Sequence, residues 1–128
     1  MSANETFRQV RGRMAEDAAL AFLAARGLRL LERNARFSVG ELDLILLHGD
    51  TLVFAEVRQR KSEAFGGAAH SIDARKRRKC ALAAQCWLKR NPRLADAPCR
   101  FDAVLLTGTE DDWRIEWLPG AFVFEDVF

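Results

Sequence analysis

The stretch from Glu41 to Gln59 limits most strongly what this chain can become. Two runs, Glu41 to His48 and Thr51 to Gln59, flank Gly49-Asp50, a two-residue hairpin signal. Side chains on a strand alternate faces. Ile45, Leu47, Leu52 and Phe54 therefore share one face, and Leu42, Leu44, Leu46, Val53, Ala55 and Val57 share the other. A hairpin that is apolar on both faces needs a layer of other elements on each side. A sheet packed between helices meets that need, whereas a solvated meander does not.

The rest of the chain supplies those layers. Thr6-Phe7-Arg8-Gln9 fits a capping box and opens an Ala-rich helix running to Arg26, with Gly27 as its stop. Leu28 to Phe37 reads as a first strand, before a turn at Ser38-Val39-Gly40. Ser62 to His70 reads as a flexible loop, with Gly66-Gly67 in it. Ser71 or Asp73 caps a second helix that stops near Asn91-Pro92. Phe101 to Thr107 and Trp113 to Leu118 are the last two strands, with Asp111-Asp112 in the turn between them. The third strand, second helix and fourth strand make a right-handed βαβ crossover. The expected fold is α/β, a mixed central sheet of about five strands flanked by two helices, in a single domain over residues 1–128.

Pairing through the Gly49-Asp50 turn sets Asp43 opposite Glu56 and Glu41 opposite Arg58, all on one face. Like charges placed opposite each other are destabilising. Two carboxylates there, among strands apolar on both faces, call for a cation between them. Mg²⁺ or Mn²⁺ suits the pair, because a hard cation takes one or two protein carboxylates and keeps waters and substrate phosphate oxygens. Glu41 can extend that site or pair with Arg58. Arg58 points to the same face as Glu56 and can stabilise charge developing on a phosphate, but a guanidinium cannot serve as a base. Arg60 shares that face. A structural alternative makes Glu41–Arg58 a salt bridge and leaves Asp43 and Glu56 as solvated charges at the hairpin end.

Helical spacing places Glu16 between Leu20 and Leu23, within the buried stripe of the first helix. It either reaches the acidic pair or lies at the stripe's edge beside Arg13. The second helix opens with Arg75, Lys76, Arg77, Arg78 and Lys79, against the preference of a helix N-terminus for negative charge. From Arg58 to Lys79 there are eight bases against two acids, and from Phe101 to Phe128 seven acids against one base. The overall charge of +2 thus hides a basic centre and an acidic end. Charge runs are usually solvated faces. A basic helix start beside an acidic pair favours a nucleic acid, with Arg60, Arg75, Lys76, Arg78 and Lys79 on its phosphates. Asp102 reads as a strand-edge acid, with support of the acidic site from behind as its alternative, and His70 reads as a solvated loop residue. Phe122, Phe124 and Phe128 read as core cover or a homodimer contact.

Composition excludes other classes. Met1 to Arg13 has no apolar core of a signal peptide, and no apolar run approaches the ~20 residues of a membrane span, so a cytoplasmic protein without a membrane partner is expected. Three cysteines, none in a C-x-x-C pair, and two histidines argue against a zinc site and for buried reduced thiols.

Gly40-Glu41-Leu42-Asp43-Leu44-Ile45 followed by Val53-Phe54-Ala55-Glu56-Val57-Arg58 resembles the acidic motif of the PD-(D/E)XK nuclease superfamily. Glu16 matches the helical glutamate of its Holliday-junction resolvase branch. Together with Phe65-Gly66-Gly67, the helix start from Ser71-Ile72 to Lys79, and Arg100-Phe101-Asp102, nearly the whole chain is similar to the YraN family of uncharacterised bacterial proteins. The resemblance implies a restriction-endonuclease-like fold. It also implies Asp43 and Glu56 as metal ligands, the Val57 carbonyl as a third, and Glu16 as an accessory acid. One position departs from the superfamily pattern: Arg58 stands where active nucleases usually carry lysine, and Lys76 on the neighbouring helix can take that place. The function expected is a Mg²⁺- or Mn²⁺-dependent endonuclease acting on DNA, with branched or damaged DNA as candidate substrates. The rival is a binding module of the same fold that grips nucleic acid, or assists its repair or processing, without cutting.

Overall fold

The computed structural model describes residues 6–60, 72–109 and 111–128. The order is α1 (Phe7–Ala24), β1 (Arg29–Phe37), β2 (Gly40–His48), β3 (Thr51–Arg60), α2 (Ala74–Arg90), β4 (Cys99–Thr107) and β5 (Arg114–Phe122), with two short 3₁₀ turns at Pro92–Leu94 and Phe124–Asp126. All five strands form one sheet in the order β1-β2-β3-β4-β5. The β3–β4 pair is parallel and the others antiparallel, so the sheet is mixed as the crossover requires. The loop with Phe65-Gly66-Gly67 and His70, the side chain of Arg60, and the Ser71 cap candidate lie outside the described residues.

Local chemistry fixes the helix ends. The capping box forms as expected: the Gln9 backbone N–H donates to Thr6 Oγ1 at 3.1 Å, and the Thr6 N–H donates to Gln9 Oε1 at 2.8 Å. The chain leaves α1 through Gly27 at φ +90, a conformation glycine adopts without strain. Asp73 caps α2, accepting from the Lys76 N–H at 2.9 Å.

The two helices cover opposite faces of the sheet. Ala15, Ala19 and Leu23, one turn apart on α1, are buried against Leu44, Leu46, Val53, Ala55, Val104 and Leu106. Cys80, Ala81, Ala83, Ala84 and Trp87 of α2 pack on Ile45, Leu52, Phe54, Phe101 and Leu105. The small residues of α2 let it ride close to the sheet. A Cβ on Gly40 would stand 2.8 Å from the Lys79 carbonyl oxygen, so a glycine is required where β2 begins. Phe122 stacks on Phe101 at 4.5 Å between centroids, and Phe124 meets Phe101 edge-on, which makes these C-terminal phenylalanines core cover. No helix among the described residues is long and apolar enough to cross a membrane.

The structure corrects three expectations. Leu42 packs with the α2-side cluster rather than with Leu44 and Leu46, so the alternation of β2 breaks at Asp43. Strand β5 runs on to Phe122 instead of ending at Leu118, because it pairs with Phe101 past an irregularity opposite Asp102. Asp102 is fully buried and not an edge acid. Its carboxylate accepts from Arg100 Nε, Trp117 Nε1 and the Gly120 N–H, each at 2.9 Å, and so holds β4 to β5 where the ladder slips.

Candidate metal and nucleic-acid site

The β2–β3 ladder follows the register expected from the turn, from His48↔Thr51 to Leu44↔Ala55, and its paired residues end there. Beyond it the Asp43 side chain takes the place of a strand partner: Oδ2 accepts from the Val57 backbone N–H at 2.9 Å. The opposite flank of β2 is irregular at the same level. Asn34 of β1 has φ +53, between Arg33 and Ala35, which pair with Leu44 and Leu42. Asparagine is one of the few residues that tolerates this left-handed conformation. These departures take Asp43 out of the regular pleat and give it neighbours from α1, β1 and β3.

Glu56, one residue past the last paired position of β3 with β2, is 1% exposed. Its Oε1 accepts from the Cys80 thiol at 2.7 Å. Its Oε2 is buried and meets no donor among the described residues. Burial, first, and then the neighbouring Asp43 charge and a hydrogen bond with Asp43 push the Glu56 carboxyl well above the ordinary range. Two carboxylates share such a contact only through a proton or a cation. The positive charge of Lys76 acts in the opposite direction. Lys76 lies one helical turn before Cys80 on the same side of α2, which brings its charge over this end of the sheet. The Cys80 thiol is itself pushed up by burial and by Glu56, so it stays protonated and donates.

Glu16 stands at the edge of this group. Burial and the Asp43 charge raise its carboxyl, while hydrogen bonds from Arg33 and Asn34 oppose that. Arg33 Nη2 lies 3.2 Å from Glu16 Oε1 and 2.9 Å from Asp17 Oδ1. Glu16 thus pairs with Arg33, and it reaches the acidic pair through its field.

Glu41 goes elsewhere. It is exposed and pairs with Arg36 of β1 at 3.6 Å. The structural alternative, with Asp43 and Glu56 as solvated charges, fails for Glu56, which is buried. Among the described residues no three His, Cys, Asp or Glu side chains converge as a metal-holding set. The acidic pair therefore offers two carboxylates, the number with which Mg²⁺ is commonly held beside waters and phosphate oxygens. Arg58, two residues after Glu56, is half-buried at the rim.

The basic start of α2 divides. Arg75, Arg78 and Lys79 are exposed, and Lys76 is half-buried. Arg77 turns inward, donating to the Ile72 carbonyl at 3.0 Å and lying over the Phe122 ring. Sequence reasoning misses three partners, Cys80, Arg33 and Asn34. Cys80 carries a signal in its spacing, one turn beyond Lys76. Asn34 carries none, since its role depends on a strand irregularity.

Comparison with known proteins places these residues in a family. The model of the uncharacterised protein family UPF0102 matches residues 15–106, a span that contains every candidate from Glu16 to Lys79. A UPF0102 protein of Pseudomonas entomophila is 52% identical over 112 residues, covering 87% of this chain and 91% of the relative. One from Ectopseudomonas mendocina is 50% identical over 111 residues, covering 87% and 92%. One from Xanthomonas campestris pv. campestris is 49% identical over 119 residues, covering 93% and 96%.

Proposed function

The chain belongs to the uncharacterised family UPF0102, the YraN family, whose name carries no reaction; from its site we propose a metal-dependent endonuclease-like protein that binds DNA and hydrolyses phosphodiester bonds. The observation that carries this reading is the Glu56 carboxyl, buried in contact with Asp43, with its Oε2 meeting no donor among the described residues. A buried acceptor without a donor costs about 1–3 kcal/mol, more when charged. A divalent cation removes that cost and the repulsion together, so the residues fit the ion.

Asp43 and Glu56 would hold Mg²⁺ or Mn²⁺, with the Val57 carbonyl as a third ligand. The ion would supply Lewis-acid polarisation of the phosphodiester and a bound water of lowered pKa. The protein's own groups do the rest. The Val57 N–H fixes the Asp43 carboxylate through Oδ2, and the Cys80 thiol fixes Glu56 through Oε1. Arg58 and Lys76 supply positive charge for the phosphate, and Lys76 is the one of the two able to take and give a proton. Arg60, Arg75, Arg78 and Lys79 extend that charge along the backbone of the DNA.

The second reading, a module of the same fold that grips nucleic acid without cutting it, is favoured by Arg58, because a guanidinium orients and stabilises but does not deprotonate water. A cleavage panel of linear duplex, flap and four-way junction DNA with Mg²⁺ or Mn²⁺ separates the two. Cleavage by the wild type that disappears in Asp43→Ala and in Glu56→Gln supports the nuclease. Metal-independent binding with no cut on any substrate leaves the binding module.

A further inference from the structure

Among the described residues one non-glycine has a positive φ: Asn34 of β1, at +53. The others with that sign are all glycines: Gly27, Gly40, Gly49, Gly108 and Gly120. A backbone of this shape suits glycine best, because a Cβ there crowds the following carbonyl. Asparagine is tolerated at some strain, so a carboxamide kept at that position calls for a task that glycine cannot perform. The place of the strain is informative. Arg33 pairs with Leu44 and Ala35 with Leu42, so Asn34 stands level with Asp43 on the neighbouring strand.

Glu16 supplies that task. The Asn34 carboxamide hydrogen-bonds the Glu16 carboxylate, and Arg33 Nη2 lies 3.2 Å from Glu16 Oε1. Arg33 divides that same nitrogen between Glu16 and Asp17, so it does not fix the orientation of Glu16 by itself. The carboxamide is the second point that a planar carboxylate needs. Two consecutive residues of β1 thus hold one acid of α1, and they hold it against opposition, since burial and the Asp43 charge both disfavour its ionised form. Glu16 is not sealed in. Its side chain is 17% exposed, and with Asn34 it forms part of the wall of a cleft of about 360 Å³ between α1 and β1, which gives water access to the acid.

We propose that Asn34 is a positioning residue: it aims the Glu16 carboxylate toward Asp43, where Glu16 accepts a hydrogen bond from a water on the divalent cation held by Asp43 and Glu56. The inference rests on the metal site of the proposed function and adds to it the groups that hold the water in place. Groups that orient the ligands of a bound metal typically contribute about 10–100-fold to its affinity. Asn34 itself touches neither the ion nor the nucleic acid and acts through Glu16.

The test is Mn²⁺ binding to the full chain at pH 8, read from the EPR signal of the free ion, beside thermal melts in EDTA. Asn34→Gly keeps the left-handed backbone and removes only the carboxamide. It should melt close to wild type, since relief of strain and the greater freedom of unfolded glycine oppose each other. It should bind Mn²⁺ about tenfold more weakly, the lower end of the range for such groups. Glu16→Gln should lose about as much. The decisive variant is the double, Glu16→Gln/Asn34→Gly. Because Asn34 acts through Glu16, the double should bind as Glu16→Gln does, about tenfold below wild type instead of about a hundredfold. If the wild type binds Mn²⁺ and Asn34→Gly binds it as tightly, or the two losses multiply in the double, Asn34 shapes only the backbone, and the proposed function survives. If the wild type binds no Mn²⁺, the metal site and this inference fall together.

Discussion

Glu56→Gln is expected to make the metal-free protein more stable, with a gain that grows with pH. In the wild type Oε1 already accepts from Cys80, while Oε2 has no donor among the described residues and a second carboxylate beside it. Glutamine keeps the acceptor for Cys80 and turns an amide donor toward Asp43, so repulsion becomes a hydrogen bond. Removing one buried unsatisfied acceptor is worth about 1–3 kcal/mol, or about 4 °C in melting temperature per kcal/mol for a chain of this size. The pH dependence follows from proton counts. The folded protein holds a proton on Glu56 at pH values where the unfolded chain, near 4.5, has released it. The native state binds more protons, so wild-type stability falls as pH rises from the unfolded value to the raised folded one, by at most about 1.4 kcal/mol per pH unit. Above the folded value the loss is complete and the curve is flat. The amide of the Glu56→Gln variant has no proton to lose, so the two proteins should nearly coincide at about pH 4 and diverge upward. Urea unfolding followed by fluorescence of Trp87, Trp113 and Trp117, in EDTA from pH 4 to 8, measures the difference. A variant no more stable than wild type at pH 8, or a gap that does not widen with pH, would refute the reasoning. Adding Mn²⁺ at pH 8 should restore wild-type stability and leave Glu56→Gln nearly unchanged.

Three further outcomes are expected. Cys80→Ala should destabilise by about 1–3 kcal/mol by leaving Glu56 Oε1 without its donor, and Cys80→Ser should recover part of it; in the native wild type this buried, high-pKa thiol should resist alkylation at pH 8 until the protein is unfolded. Gly40→Ala places a Cβ 2.8 Å from the Lys79 carbonyl oxygen, and should cost about 1–3 kcal/mol as α2 is pushed off the sheet, read as a lower urea midpoint. Asp102→Ala leaves Arg100, Trp117 and the Gly120 N–H without their shared acceptor. It should cost about 3–5 kcal/mol, and unchanged denaturation would overturn the role given to this carboxylate at the β4–β5 irregularity.

The hairpin is readable in the sequence because every signal agrees: two apolar runs, a Gly-Asp turn and one register that covers both faces. The same register brings Asp43 next to Glu56. Glu41 lies beyond the last pair, Leu44↔Ala55, and finds Arg36 on the other neighbour of β2. Leu42 falls on the wrong face for a related reason, since strict alternation assumes a regular pleat and Asp43 interrupts it. Glu16 is recognisable as an acid in an apolar stripe. Its partner Arg33 is not, because the contact depends on how α1 crosses β1. Asp102 looks like an edge acid at the head of a strand. Its burial follows from the extension of β5 to Phe122, which local sequence does not mark.

The sequence by itself determined the elements, the order of layers and the presence of two carboxylates at one end of a buried hairpin. These follow from periodicity, caps and turn chemistry, which act between residues close in the chain. The tertiary structure decided what those carboxylates meet. Burial of Glu56 under α2, the thiol of Cys80 on one of its oxygens, its contact with Asp43, the reach of Lys76, and the cleft beside Glu16 all arise from contacts between residues far apart in the chain. Local propensity does not encode such contacts. They are set by how closely two helices can approach the sheet, and here Gly40 and the small residues of α2 let one of them come near enough to seal an acid inside.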